Sequence, residues 1–253
     1  MKLVVLATDS SSTWMMVSAL REDYPDLHVV VENPISRLML LKRRMARIGV
    51  VKVIGQMLFM LCLPALRRLN ATRIQSLVTS AGLSTQPPTG VSITRFASVN
   101  SQACIEWLRK VQPTVVVLNG TRIVSPALLA SCNAVFLNTH CGITPAYRGV
   151  HGGYWALVRG DKDNVGVTVH LVDAGVDTGG IVFQGTIKVD EQDNFLTYPV
   201  KQYLVGIPLM RHAIADAISG NLRAHRRDDL PSAIWHHPTL WQYLWARLRH
   251  GVR

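Results

Sequence analysis

Short, unbroken apolar runs alternate along this chain with segments whose apolar positions recur every three or four residues. The first run, Leu3–Ala7, is apolar throughout, as expected of a strand covered on both faces. Thr8-Asp9-Ser10-Ser11-Ser12-Thr13 follows, rich in residues that cap free backbone N–H groups, and predicts a helix over Trp14–Arg21. Leu27–Val31 reads as a second strand, and Val91–Thr94, Val115–Leu118 and Ala134–Leu137 continue the series. Ala103–Lys110 is helical in pattern, and Ser125-Pro126 opens a short helix with a serine cap and proline at the first position. Farther on, a helix is predicted at His151–Val158 and strands at Val165–Leu171 and Gly180–Val189. A helical pattern then runs over Leu196–Ile218, interrupted at Pro199 and Pro208. This βαβ rhythm predicts one α/β domain with a doubly wound, mostly parallel, Rossmann-like sheet.

Ile35–Leu69 breaks the rhythm. It reads as helix, with a basic half, SRLMLLKRRMARIG, and an apolar half, VIGQMLFMLCLPAL. The apolar half contains Gln56 and Pro64 and falls short of a spanning helix. A helical pair packed on the sheet, a membrane-surface element with basic beside apolar, and a lid facing phosphate or RNA all fit it. The end of the chain, Trp235–Arg253, sets Trp235, Trp241, Trp245 and Leu248 among His and Arg. That pattern suits either a membrane interface or an amphipathic tail packed on the domain. The expected organisation is a catalytic domain over 1–220, with a helical insertion at about 35–70, and a basic, Trp-rich tail over 221–253.

Charge sharpens the picture of the insertion. The net charge is +11. No Asp or Glu occurs from Asn33 to Ile105, yet Arg37, Lys42, Arg43, Arg44, Arg47, Lys52, Arg67, Arg68, Arg73 and Arg95 all fall there. Such a basic field implies an anionic partner (an anionic substrate, an anionic membrane surface or nucleic acid) or serves solubility alone. The four cysteines, Cys62, Cys104, Cys132 and Cys141, lack paired spacing. That argues against a disulfide framework or zinc ribbon and fits the cytoplasm.

The candidate chemistry lies between Val115 and Gln184. Asn138 and His140, two apart at the end of a strand, point the same way. Asp177 sits in a glycine-rich loop between two predicted strands. A carboxylate orients an imidazole and raises its pKa, and an amide donates to a developing oxyanion. The three suit acyl transfer to an amine without a Ser or Cys nucleophile. The turn Asp9-Ser10-Ser11 after the first strand is a candidate anion site, although it lacks the glycines of a nucleotide fingerprint. Asp9, Ser10 and Ser11, with Tyr147 and Arg148, are the candidate substrate contacts.

The motifs Asn138-x-His140, Pro145-x-Tyr147-Arg148-Gly149, His151, Gly166-Val-Thr168-Val-His170 and Asp173–Gly180, in that order, resemble the catalytic domain of the folate-dependent formyltransferases. That group contains methionyl-tRNA formyltransferase, glycinamide ribonucleotide transformylase and sugar N-formyltransferases. The resemblance implies the formyltransferase fold and 10-formyltetrahydrofolate as formyl donor, with no metal. It implies that Asn138 bonds the formyl oxygen, that His140 stabilises the tetrahedral intermediate, and that Asp177 accepts a proton with it. It also implies that the pterin lies between Arg122, Ile123 and Val124 on one side and Val172, Asp173, Ala174, Gly175 and Val176 on the other. One departure stands out: Cys141-Gly142 replaces the Pro-Ser common in the family. Cys141 fits an apolar filler, a reactive thiol, or a metal ligand with His140 and His151.

The acceptor is less legible. Residues 221–253 are too few for the RNA-gripping barrel of the tRNA enzyme, and the first turn is not a ribonucleotide phosphate loop. A small-molecule amine is expected, foremost a nucleotide- or lipid-linked amino sugar, with enzyme at the inner face of a membrane as one location. Glycinamide ribonucleotide, an amino acid and aminoacyl-tRNA are the other acceptors. A non-catalytic folate-binding module and a nucleic-acid-binding protein are the readings outside enzymes. The latter lacks aromatic-rich stacking strands.

Overall fold

The computed structural model describes residues 2–35, 44–46 and 48–253. Residues 36–43 and 47 of the predicted basic segment lie outside the described residues. Strands β1 (Leu3–Thr8), β2 (His28–Glu32), β3 (Ser92–Phe96), β4 (Val115–Asn119) and β5 (Val135–His140) pair in parallel, in the order β3-β2-β1-β4-β5. A two-residue strand, β6 (Arg148–Gly149), follows outside this sheet. Strands β7 (Gly166–Leu171) and β8 (Ile181–Thr186) extend the large sheet to seven strands by antiparallel pairing on β5. This is the expected doubly wound, mostly parallel α/β architecture.

The unbroken apolar runs follow from burial on both faces. Leu3, Val5, Val29, Val117 and Leu137 face helices α1 (Ser11–Asp23) and α7 (Thr197–Ser219). The alternate residues Val4, Leu6, Val30, Val116 and Phe136 face α4 (Gln102–Val111) and α5 (Pro126–Leu129). Chain order runs outward from β1 in one direction and from β4 in the other. The reversal leaves a crevice beyond the carboxyl ends of β1 and β4.

The helix predicted to break at Pro199 and Pro208 instead runs unbroken over Thr197–Ser219. Pro199 falls in the first turn, where N–H groups have no intrahelical acceptor. Pro208 lies between Ile207 and Met210, whose burial against the sheet holds the helix across the missing bond. Tertiary packing overrides the local signal there.

The insertion forms two helices, α2 (Val50–Leu69) and α3 (Ala71–Ser80). Helix α2 is longer than its apolar half suggested: its 20 residues run through Gln56 and Pro64, and its mean hydropathy of 1.6 makes it long and apolar enough to cross a membrane. Only a narrow face of it is buried, with Val53, Gly55, Gln56 and Phe59. It packs on α8 (Leu240–His250), a tail helix opened by a Thr239–Gln242 capping box. Gly55 lets the two helices close, since a Cβ there would lie 2.1 Å from the Trp241 ring. Helix α3 packs on α7, and Arg73 pairs with Asp190 at 2.8 Å. The insertion and tail thus share an aromatic core of their own: Phe59, Phe195 and Tyr243 with Tyr154 and Trp155 of α6 (Gly152–Val158). The tail is also pinned by β9 (Ile234–Trp235), which pairs with β6.

Candidate active site

Antiparallel pairing of β5 with β7 sets Asn138 directly opposite His170. The His170 Nδ1–H donates to the Leu171 carbonyl at 2.7 Å. Its other ring nitrogen is thereby an acceptor, and Asn138 Nδ2 donates to it at 3.1 Å. This contact orients the Asn138 amide. His170 belongs to the Gly166–His170 motif but carried no assigned role; its position opposite Asn138 depends on strand register.

Asp177 reaches the pair from the loop between β7 and β8, in the left-handed backbone region (φ 50°) that Asp tolerates better than most residues. Its Oδ2 accepts the Gly149 N–H at 3.0 Å and lies 3.3 Å from His140 Nδ1. Its Oδ1 lies 3.4 Å from Asn138 Nδ2 and 3.5 Å from His170 Nε2. Four groups from three segments therefore converge on one carboxylate. Burial pushes the Asp177 pKa up, but the His140 ring, which attracts the carboxylate as it takes up a proton, together with the His170 ring and the Gly149 amide, outweighs it and holds the carboxyl at about 2.

His140 is buried, with Nε2 2.6 Å from the Tyr147 carbonyl. Burial holds the imidazole below its ordinary pKa, against the pull of Asp177 and of that carbonyl. The Tyr147 carbonyl only accepts, so Nε2 carries the hydrogen and the neutral ring turns a bare Nδ1 toward Asp177. A single added proton would satisfy both atoms at once. The pair is poised to receive one.

The Cys141-Gly142 departure finds its reason here. A Cβ on residue 142 would lie 2.2 Å from the Tyr147 carbonyl oxygen and 2.7 Å from His140 Nε2. Glycine is what lets that carbonyl reach the ring. Gly142→Ala is expected to lower the melting temperature by about 2–10 °C, the usual cost of overpacking; thermal unfolding checks it. Burial and Asp177 push the Cys141 thiol pKa up to about 12. Among the described residues, no three His, Cys, Asp or Glu side chains are grouped to hold a metal.

Asn138, His140 and Asp177 open into a cavity of about 950 Å³, within the range for small-ligand sites. Arg122, Ile123 and Val124 form one wall, and Val172, Asp173, Gly175 and Val176 another; Ala174 faces solvent. The Arg122 guanidinium is engaged, with Glu32 at 2.6 Å and the Asn33 carbonyl at 2.8 Å. That wall therefore offers backbone and the exposed Ile123 side chain. The Asp173 side chain is taken up within its loop, accepting from the Gly175 N–H at 2.9 Å and from Thr178 Oγ1 at 2.6 Å.

The expected substrate contacts sit elsewhere. Asp9 accepts from Trp14 Nε1 and pairs with Arg95, each at 3.0 Å. Ser10 caps α1, and it is Ser12, two residues past it, that lines the cavity; Ser11 is the first residue of the helix. The Tyr147 hydroxyl donates to Asp161, and Arg148 donates to the Val176 carbonyl, bracing the Asp177 loop. The side of the cavity away from Ile123 is built instead by residues that local pattern could not assign: Gln56 of α2, His151, and Ile234 to His237 of the tail. His151 Nε2 lies 2.9 Å from His237 Nδ1. Burial and the mutual repulsion of the rings push the His151 pKa down to about 3. Burial and Arg44 push that of His237 down to about 4, so both are neutral at pH 7. Gln56 Nε2 donates to the His237 carbonyl, while its Oε1, buried at the cavity wall, has no partner.

The formyl transferase family model matches residues 1–201. Methionyl-tRNA formyltransferase of Chlorobium limicola is 30% identical over 118 residues, 47% of this chain and 37% of that protein. The chain thus matches well under half the length of that curated relative. Glycinamide ribonucleotide transformylase 1 of Symbiobacterium toebii superposes with a TM-score of 0.58 at 22% identity, covering 89% of this chain and 94% of that one. An N-formyltransferase of Helicobacter canadensis, solved with folinic acid and dTDP-3-aminofucose, gives 0.57 at 14% identity, covering 93% and 70%. With a family model spanning four-fifths of its length and a fold shared with these structures, the chain belongs to the formyl transferase family.

Proposed function

We propose that the protein transfers a formyl group from 10-formyltetrahydrofolate to the primary amine of a small molecule, with a nucleotide- or lipid-linked amino sugar as the acceptor class. The convergence of Asn138, His140 and Asp177 on one point of the cavity carries this reading. The amine nitrogen attacks the formyl carbon, and charge collects on the formyl oxygen. Asn138 Nδ2, held by His170 through one hydrogen, turns the other, which leans on Asp177 Oδ1 at only 3.4 Å, to that oxygen. The proton lost by the amine passes to the gap between His140 Nδ1 and Asp177 Oδ2. The same pair returns a proton to the folate nitrogen as its bond to carbon breaks. The walls at Ile123 and Val172 take the apolar faces of the pterin, and the backbone of 122–124 and 173–176 takes its edges.

The amino-sugar acceptor is supported by the opposite wall. Gln56 Oε1 and the neutral His151–His237 pair are uncharged hydrogen-bonding groups, suited to hydroxyls and an amine. Arg44 stands beside them as a cation for a phosphate. Purified protein with 10-formyltetrahydrofolate is to be tested against nucleotide-linked amino sugars, glycinamide ribonucleotide, amino acids and methionyl-tRNA, watching tetrahydrofolate release. Release with amino sugars is expected. Release with methionyl-tRNA or glycinamide ribonucleotide alone overturns the acceptor, and a folate complex with no turnover on any amine overturns the reaction.

A further inference from the structure

Helix α2 is built inside out. Its buried face is narrow, while Val50, Val51, Ile54, Met57, Leu58 and Leu61 are exposed, Val51 at 72% and Leu61 at 75%. Helix α8 does the same beside it, with Trp245 56% and Leu248 86% exposed. The two helices touch through Gly55 and Trp241 and through Phe59 and Tyr243, whose rings are 4.8 Å apart. Their outer faces therefore form one surface. A soluble monomer rarely leaves so large a contiguous apolar surface in water.

The charges carried by these two helices are of one sign. Lys52 lies in the first turn of α2 and Arg67 and Arg68 in its last; Arg247, Arg249 and His250 lie in the last turn of α8. No Asp or Glu occurs from residue 33 to 105 or after Asp229. Trp and Leu flanked by cations, with no acid in either helix, match the boundary between headgroups and acyl chains of an anionic bilayer. We propose that the α2–α8 face docks on an anionic membrane surface, lying in the interface rather than crossing it. Crossing is opposed by the buried side of α2, where Phe59 and Gln56 are packed into the body.

Docking has a consequence for the cavity. Gln56 lines it from the inner side of α2, while Met57 and Leu61 lie on the outer side. The cavity is then about one helix diameter, ~10 Å, from the lipid. Resting on the formyl-transfer reading, this favours an acceptor amine carried on a lipid over one on a soluble nucleotide.

The test is co-sedimentation of the full chain with vesicles of phosphatidylcholine plus phosphatidylglycerol, beside phosphatidylcholine alone. Binding to the anionic vesicles is expected, with a blue shift of tryptophan emission and release by alkaline carbonate. Leu61→Glu with Leu248→Glu, both at solvent-facing positions, should leave the melting temperature unchanged and weaken partitioning at least about tenfold. Lys52→Gln should weaken it about fivefold. Absence of binding at low salt, binding untouched by the Leu variants, or retention after carbonate would overturn interfacial docking. So would a dimer in sedimentation equilibrium that the Leu variants dissociate, since the face would then belong to a second copy. Vesicle binding does not depend on turnover, so its failure and that of the amine panel are read separately.

Discussion

Asp177→Asn is expected to lower turnover by roughly 10³–10⁴-fold, near the upper end of what a positioned proton acceptor contributes. The substitution keeps the size of the side chain and one oxygen for the Gly149 N–H. It removes the charge that makes the gap to His140 Nδ1 a proton site. The bare Nδ1 would instead accept from the new amide, and the amine's proton would have nowhere favourable to go. Single-turnover formyl transfer should show the loss in the chemical step, with donor affinity little changed. Full activity in this variant would sink the assignment.

The pH dependence follows with a definite sign. Burial holds the His140 pKa below its ordinary value, so the ring is neutral near pH 7 and able to take a proton. The acid limb of kcat/KM should therefore lie below pH 6.5, where the ring becomes protonated in advance. Stability falls in the same direction. The unfolded chain binds a proton at His140 below about pH 6.5 that the folded chain resists. Asp177, at about 2 against an ordinary 3.8, contributes stability that is present above about pH 4 and is lost as pH falls toward 2. That contribution is roughly 2 kcal/mol. Asp177→Asn should lack it, so the variant's melting temperature should depend less on pH between about 4 and 2 than the parent's.

Asn138→Ala is expected to cost roughly 10²–10³-fold in turnover, the usual cost of an oxyanion donor. Its amide meets the formyl oxygen most strongly when that oxygen carries charge, so kcat should fall while KM for the donor moves little. The truncation also leaves the buried His170 Nε2 without its donor. A stability loss of about 1–3 kcal/mol should accompany it. Asn138→Asp separates the two effects. It keeps the shape but sets a second carboxylate beside Asp177, which should raise the pKa of one of them and move the acid limb upward. An Asn138→Ala enzyme with parental kcat would remove the amide from the chemistry.

Much of this molecule is written in local pattern. The apolar runs at Leu3–Ala7, Val115–Leu118 and Ala134–Leu137 lack alternation because both faces of a parallel sheet are covered, and each is a strand. The spacing of Asn138 and His140 alone sets both at the end of one strand, because side chains alternate with period two. Caps at Ser10 and Ser125 mark their helices for an equally local reason: one side chain meets an N–H three residues on.

What stayed hidden depends on partners far away in the chain. His170 meets Asn138 through strand register, Gly142 matters because the Tyr147 carbonyl folds back on His140, and Gln56 meets His237 across 181 residues. Pro208 did not break its helix because the sheet held it. The sequence by itself determined the sheet, the family and the trio proposed to react, since these rest on short-range periodicity and on motifs contiguous in the chain. Only the tertiary structure decided which residues line the far side of the cavity, and that α2 turns its apolar side outward. A helix can bury any of its faces; which one goes inward is chosen by the surface offered to it, here α8 and the aromatic cluster beneath.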